Sequence, residues 1–518
     1  MNKLLLEIFS EEIPAKMQLN SLRELQALLS EAIPNSNITS LISPRHMCFS
    51  IDGFEMKDTI AIKGPKTSAN EDQLNGFMSK YNIKGLDKLT VENNTYYFKR
   101  HLSHEESLSE LSSSISSALN KMVWPKSMIW NNHNLRWIRP IHSIACLLND
   151  KSLPITFGHI QSSYKTYGHR SQQSREIHLT SSDINSYIKA LNEGGVIVSQ
   201  EERKSIILEE ISKIIQPLNL TLITDNNLLE EVVGLVENPT VFLGTIDQQF
   251  MTLPKELLVT SLKNNQKYLL LNDSEGNLAP YFIIVSDVKP SDGGKSIIAG
   301  NERVVRARLS DAQHFIKSDL QVPFESLLQK LHKIQFHKDV GTLHSKVMRI
   351  KNIAQSISSE IGIDETNVTR AATLCKNDLV TSAVGEFPEL QGIMGYYYCK
   401  AQGENEAVVK AIRDHYKPYG PSDSIPETIE GSILAIADKL DTLNSLFAVG
   451  IKPTSTKDPY ALRRAAIGII RIISNCELLL NKIKLGASTE VTNFIIDRAK
   501  NLYKGNELQR ITEAITRV

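Results

Sequence analysis

No pair of cysteines in this chain is spaced to form a zinc knuckle or a redox motif. Its 5 cysteines, Cys48, Cys146, Cys375, Cys399 and Cys476, are scattered, and no CxxC occurs. The odd count suits no closed disulfide framework, so free thiols in a reducing cytoplasm are expected. Net charge is also lacking: 58 Lys+Arg balance 58 Asp+Glu. That excludes a uniformly polybasic protein and leaves room for a local basic patch. Long apolar runs are missing. Nothing approaches the roughly 18 residues that a membrane helix needs. The start, Met1-Asn2-Lys3-Leu4-Leu5-Leu6-Glu7, breaks its leucines with an acid and does not read as a signal peptide. Aromatic residues are only 6% of the chain, with 3 tryptophans.

What is present is ordinary for a globular protein. The 518 residues are 41% hydrophobic and 22% charged, too apolar for bulk disorder. At about 100–200 residues per domain, several domains are expected. Leu4 to Phe9 and Met47 to Ile51 read as strands, and residues 15–33 and 104–123 as helices. The polar, Asn-rich stretch from 60 to 100 reads as loop-dominated. Between 124 and 320, strand-like runs at 196–198, 221–224, 241–243, 268–271 and 281–285 alternate with helices at 182–193, 200–216 and 254–263. From 321 onward only helical spacing remains. The fold class is therefore multidomain α+β, with a mixed α/β first half followed by an all-α second half. The segments expected are 1–60, 61–320, 321–455 and 456–518.

Three constellations carry possible chemistry. The first is 121–170, which holds Trp124, Trp130 and Trp137. Seven cations (Lys121, Lys126, Arg136, Arg139, Lys151, Lys165, Arg170) meet one acid, Asp150, and four histidines, His133, His142, His159 and His169. Cations suit phosphates and flat rings suit unpaired bases. The alternative is a tryptophan core under a solvated basic face. The second is Gly300 to Ala312, where Arg303 and Arg306 share a helix face and Arg308 follows. Paired guanidiniums suit phosphate, or else salt bridges to Glu302 and Asp311. The third lies in the helical half. Metal-dependent phosphohydrolases of the HD type use a His, a His-Asp pair and a later Asp as ligands. Here the pair reads Asn377-Asp378, with His344 upstream and Asp438 and Asp441 downstream. Without the central histidine, carboxylates organising a helical core are favoured over a catalytic metal.

Nucleotide-site motifs are few. Gly293-Gly294-Lys295-Ser296 ends like a P-loop, but Lys289 stands where its first glycine is needed. No GxGxxG, GxSxG or HExxH occurs, nor the activating signatures of either aminoacyl-tRNA synthetase class.

Read together, many segments resemble one family, the beta subunit of bacterial heterotetrameric glycine–tRNA ligase. They include Leu5 to Pro14, Pro44-Arg45, Lys126 to Trp130, Arg139 to His142, Gly168 to Arg170, Leu228 to Glu237, Gln266 to Tyr268, the 300–312 arginines, Glu386 to Gly395 and Asp458 to Ala466. The family usually has Trp where Asn238 stands. The resemblance implies a tRNA-binding, non-catalytic subunit. ATP and Mg, with glycine activation, belong to a separate alpha subunit of an alpha2beta2 heterotetramer, and no cofactor is held by this chain. It also implies an HD-like helical domain with degenerate ligand positions at Asn377, Asp378 and Asp438. Lys126, Trp130, Arg136, Arg139, Arg170, Arg303, Arg306, Arg308, Arg464 and Arg471 are the residues expected to meet tRNA(Gly). An HD-type phosphohydrolase and a free-standing RNA-binding protein remain alternatives. Family members usually continue into a helical anticodon-binding domain, of which 456–518 supplies only the start. Residues 487–518 are expected to pack weakly, with Arg464 and Arg471 left free.

Overall fold

The computed structural model describes residues 2–517, apart from 131, 133–134 and 172–175. His133 thus lies outside the described residues. The chain divides into two compact units, Met1–Thr245 with Lys267–Asn301, and Ile246–Gln266 with Glu302–Val518.

The first unit is built on an antiparallel five-stranded sheet. Its strand order is Lys151–Ser152, Ile141–Leu148, Asn2–Ser10, His46–Phe54, Asn37–Ile42. The strand Asn2–Ser10 is central and buried on both faces. Alternation sends Leu4, Leu6 and Ile8 to one side, under helices Ala15–Ala32 and His104–Lys121. Leu5 points to the other, against Tyr187 and Leu191 of helix Ile184–Glu193. Asn2–Ser10 pairs with both His46–Phe54 and Ile141–Leu148, so residue 60 falls inside one sheet-forming unit. A second sheet, ordered Thr221–Leu222, Leu269–Asn272, Leu278–Ser286, Thr240–Thr245, is covered by helices Gln200–Ile215 and Asn226–Val233.

Two expectations fail here. Residues 60–100 are not loop-dominated. They form strands Thr59–Lys66, Leu89–Glu92 and Thr95–His101 with helix Glu71–Lys80. The asparagines that suggested loop serve the turn: Asn93 and Asn94 both take positive φ between paired strands, a conformation asparagine tolerates. Val196 to Val198 is not a strand either. Val196 and Val198 are buried in irregular chain. Instead of a ladder, Val196 N–H bonds the Leu191 carbonyl and Ile197 N–H the Glu237 carbonyl, and Arg203 holds the Ile197 and Val198 carbonyls.

Charged groups are also buried in this unit. Arg203 is fully buried and donates to four carbonyls, those of Val233, Ile197, Val198 and Ile42. His46 lies between two carboxylates. Its Nδ1 is 3.0 Å from Glu237 and its Nε2 is 2.8 Å from the Tyr167 carbonyl and 3.7 Å from Glu7. Both ring nitrogens face acceptors, the geometry of an imidazolium. Burial alone would lower its pKa, but Glu237, then Glu7, raise it above 6.5. The partner Glu237 is held down to about 2, because His46 and then Ser43 outweigh burial. Burial raises the Glu7 carboxyl, so its contribution also declines as pH rises above 4.5. A raised folded pKa at His46 contributes stability that is complete below about pH 6.5 and is lost as pH climbs through the raised value. Stability should therefore decline on the alkaline side of 6.5. His46→Gln should flatten that decline in urea-melt midpoints taken from pH 5 to 9; an unchanged slope would show that His46 is neutral.

The second unit is helical. Its centre is Ile429–Ala448, in which every residue from Gly431 to Asp441 is buried. A helix covered all round is a core helix. Helices Leu343–Ile361, Thr366–Leu374, Glu406–Asp414 and Leu462–Ser474 pack around it. A short hairpin, Gln335–His337 with Gly341–Thr342, interrupts the helical run expected from 321 onward. The helix Lys295–Leu320 carries the 300–312 arginines, and the division between the units falls within it at 301/302.

The C-terminal expectation is overturned. Helices Thr489–Leu502 and Gly505–Thr516 bury Val491, Ile495, Ala499, Ile511, Ala514 and Ile515 completely or nearly so. They pack on one another and on Leu462–Ser474, and Phe494 meets the Phe447 ring at 5.2 Å. The stripe is covered because two helices share it, whereas the spacing of one helix alone suggested a loose end.

Candidate functional site

Asn377, Asp378 and Asp438, the positions compared with HD ligands from the sequence, all lie in the second unit. Asp438 sits mid-way along the core helix Ile429–Ala448 and bridges two ammonium groups. Lys376 Nζ lies 2.7 Å from Oδ2, and Lys346 Nζ 2.9 Å from Oδ1. Lys346 also reaches Asp441 at 3.0 Å and Thr442 at 2.8 Å, and Arg349 pairs with Asp441. Lys376 donates as well to His415 Nε2 at 3.0 Å and lies 3.8 Å over the Tyr416 ring. Nδ1 of His415 faces the Ile412 carbonyl at 2.6 Å. That assigns the proton to Nδ1 and leaves Nε2 as acceptor.

The charges follow from these contacts. Burial would raise the Asp438 carboxyl, but Lys346 and Lys376 hold it well below the usual range. His415 is pushed far below 6.5 by burial and then by Lys376, so it stays neutral. Burial lowers Lys439 to about 8. Its ammonium donates to the carbonyls of His415, Tyr416 and Lys417. Gly468 makes room for its stem, since a Cβ there would lie 2.7 Å from Lys439 Cε. Above these groups opens a cavity of about 500 Å3, lined by Lys346, Lys376, Lys439, Asp438, Arg464 and the rings of Tyr416, Tyr419 and Tyr460 among others.

The other expected residues are scattered in role. Trp124 and Trp137 are core residues, with rings edge-to-face at 5.0 Å, and so are not base-stacking platforms. Trp130 is half-buried against that core, 5.9 Å from His159. The side chains of Lys126 and Arg136 are exposed and make no hydrogen bond or ion pair with another described residue. Arg139 turns back on the Ile138 carbonyl. Arg170 pairs with Glu12 and Asp287. On Lys295–Leu320, Arg303 is exposed and unpaired among the described residues. Arg306 forms a two-pronged pair with Asp247, and Arg308 binds Glu386. Neither uses the Asp311 partner considered from sequence. Arg464 reaches the cavity. Arg471 is not free as expected: it donates to the Gly420 and Asp423 carbonyls and ties down that loop. The P-loop-like segment spends its amides on Asp292, which accepts from Gly294 and Ser296.

Similarity to known proteins decides the family. A family model described as glycyl-tRNA synthetase beta subunit matches residues 4–516. The chain belongs to that family. Among curated relatives, the glycine–tRNA ligase beta subunit of Rickettsia bellii is 41% identical over 97% of this chain and 79% of its own length. That of Rickettsia felis is 41% identical over 98% and 78%. Among solved structures, the HD domain of the L. monocytogenes phosphodiesterase PgpH in complex with cyclic-di-AMP is 14% identical. It covers 37% of this chain and 93% of that chain at a TM-score of 0.20, a likeness too low to carry an argument.

The side chains of the site do not fit a hydrolytic metal. Asn377, compared from the sequence with an HD histidine, donates its Nδ2–H to the Phe324 carbonyl. Asp378 turns toward the backbone N–H groups of Gly392 and Gly395, at the start of helix Ile393–Ala401. Burial raises its carboxyl to about 6 against these bonds. Asp438 is already neutralised by two fixed cations. A divalent ion would have to displace buried ammonium groups from it, at the cost of leaving them unpaired. His344, the upstream candidate, stacks on His332 at 3.7 Å instead. Lys346, Lys376, His415 and Lys439 were not singled out from sequence, because lysines are solvent-facing by default. The one available signal was Lys376 beside Asn377-Asp378.

Proposed function

We propose that this chain is the non-catalytic, tRNA-binding subunit of glycine–tRNA ligase. It positions tRNA(Gly) for glycylation on an alpha subunit, which binds ATP and Mg, in a cytoplasmic alpha2beta2 assembly. The reading rests on the match to the beta subunit family over residues 4–516. The lysine-bridged Asp438 supports it, since a carboxylate held by two ammonium groups is a poor ligand for a hydrolytic metal. Lys126, Arg136 and Arg303 support it too, being exposed cations whose side chains are unpaired among the described residues and so able to neutralise phosphate. Among the described residues, no helix is long and apolar enough to cross a membrane.

Charge reversal at Lys126, Arg136 and Arg303 together should weaken tRNA(Gly) binding at least tenfold. The slope of log affinity against log salt should become shallower by about 0.7–0.9 for each phosphate no longer neutralised. Arg306→Ala should matter less, because Asp247 already holds that guanidinium. Filter binding across 50–200 mM salt checks both. Unchanged affinity and slope in the triple variant would place the RNA elsewhere.

A further inference from the structure

The cavity over Lys346, Lys376 and Lys439 has walls that maintaining a helical core does not require. Four cations line it against one carboxylate, Asp438. The next acid, Asp441, is already shared by Lys346 and Arg349. The N–H groups of the three lysines go largely to protein acceptors, so their role toward a ligand is their field, which acts strongly in a buried setting. Arg464 differs. Its side chain is exposed among the cavity-lining residues and makes no hydrogen bond or ion pair with another described residue, so its fork of donors is available.

The remaining wall is aromatic. Tyr419 is 50% exposed and Tyr460 is 40% exposed. Tyr416 lies nearly parallel to Tyr419, with centroids 6.3 Å apart. Exposed rings next to an unpaired guanidinium match a ligand with a flat apolar part and an anionic part. An inorganic anion would leave the rings unused, and an aliphatic acid would not stack. The volume, about 500 Å3, is in the range of small-molecule sites and excludes a duplex.

We propose that this cavity binds one unpaired nucleotide, with its base against Tyr419 and Tyr460 and its phosphate on Arg464. The nucleotide could come from solution as a free mononucleotide or from the bound tRNA as an unpaired residue. The second source rests on the function proposed above.

The test uses the full chain, Arg464→Gln, Tyr460→Ala and Tyr460→Phe, each first checked for an unchanged melting temperature. One arm titrates AMP calorimetrically; the other measures tRNA(Gly) affinity. In at least one arm, Arg464→Gln and Tyr460→Ala should each weaken binding about tenfold, and Tyr460→Phe should restore it. An effect on AMP identifies a free nucleotide, and an effect on tRNA alone identifies an RNA nucleotide. No AMP binding, together with wild-type tRNA affinity in both variants, would overturn the cavity while leaving the tRNA-binding reading intact. If the parent chain binds no tRNA, that reading fails, and the AMP arm alone decides the cavity.

Discussion

Deleting residues 486–518 should abolish the cooperative melting of the unit Ile246–Gln266 with Glu302–Val518. The cut removes Val491, Ile495, Ile511 and Ile515, each buried to within 2% of completeness. Burying one such side chain contributes roughly 1.5–3 kcal/mol, so the four together contribute on the order of 10 kcal/mol. Domain stabilities are about 5–15 kcal/mol, so the loss is comparable with the whole. The cut also bares surface on Leu462–Ser474, whose Ile469, Ile470 and Ile473 are now fully covered. Calorimetry of the truncated chain should show the corresponding transition gone or lowered by more than about 15 °C. A shift of only a few degrees would mean that the last two helices are loosely attached.

The second large effect is expected at Asp438. Asp438→Asn keeps the shape but leaves Lys346 and Lys376 without their shared counter-charge. Removing one partner of a buried pair typically costs about 3–5 kcal/mol, because an uncompensated charge remains. Lys346 keeps Asp441 at 3.0 Å, so Lys376 is the ammonium group left without a carboxylate, and the lower end is expected. Replacing the whole set, Asp438→Leu with Lys346→Met and Lys376→Met, removes the stranded charges and should recover most of the loss. Urea melts of the two variants measure this directly. A loss under about 1 kcal/mol for Asp438→Asn would mean that the lysines are compensated by other groups.

The parts legible in the sequence are those whose pattern is local. Leu4 to Phe9, the 104–123 helix and the stripe from Leu462 to Ile473 each declare their partner surface by spacing alone. Residues 60–100 did not, because their strands are mostly solvent-facing and lack an apolar run; only paired asparagines marked the turn. The last two helices were misjudged because coverage of an apolar stripe is a tertiary fact. At the site, the sequence offered only Asn377 where a metal-binding histidine would be needed, and the structure adds that Asp438 is paired with two lysines. The gathering of Lys346 and Lys439 from two helices with Lys376 from a turn could not be read, since nothing local distinguishes a buried lysine from an exposed one. Arg471 illustrates the same limit: the spacing puts it on the polar face of its helix, but the loop it ties down lies about 50 residues away in sequence.

The most direct test is glycine-dependent ATP–pyrophosphate exchange on this chain, alone and after addition of the alpha subunit, with tRNA(Gly) charging followed in parallel. A tRNA-positioning subunit without activating chemistry predicts no exchange by the chain alone, and charging only when both subunits are present. Exchange by the chain alone at the rate of the complete ligase, or charging by the alpha subunit unaffected by its presence, would contradict the account.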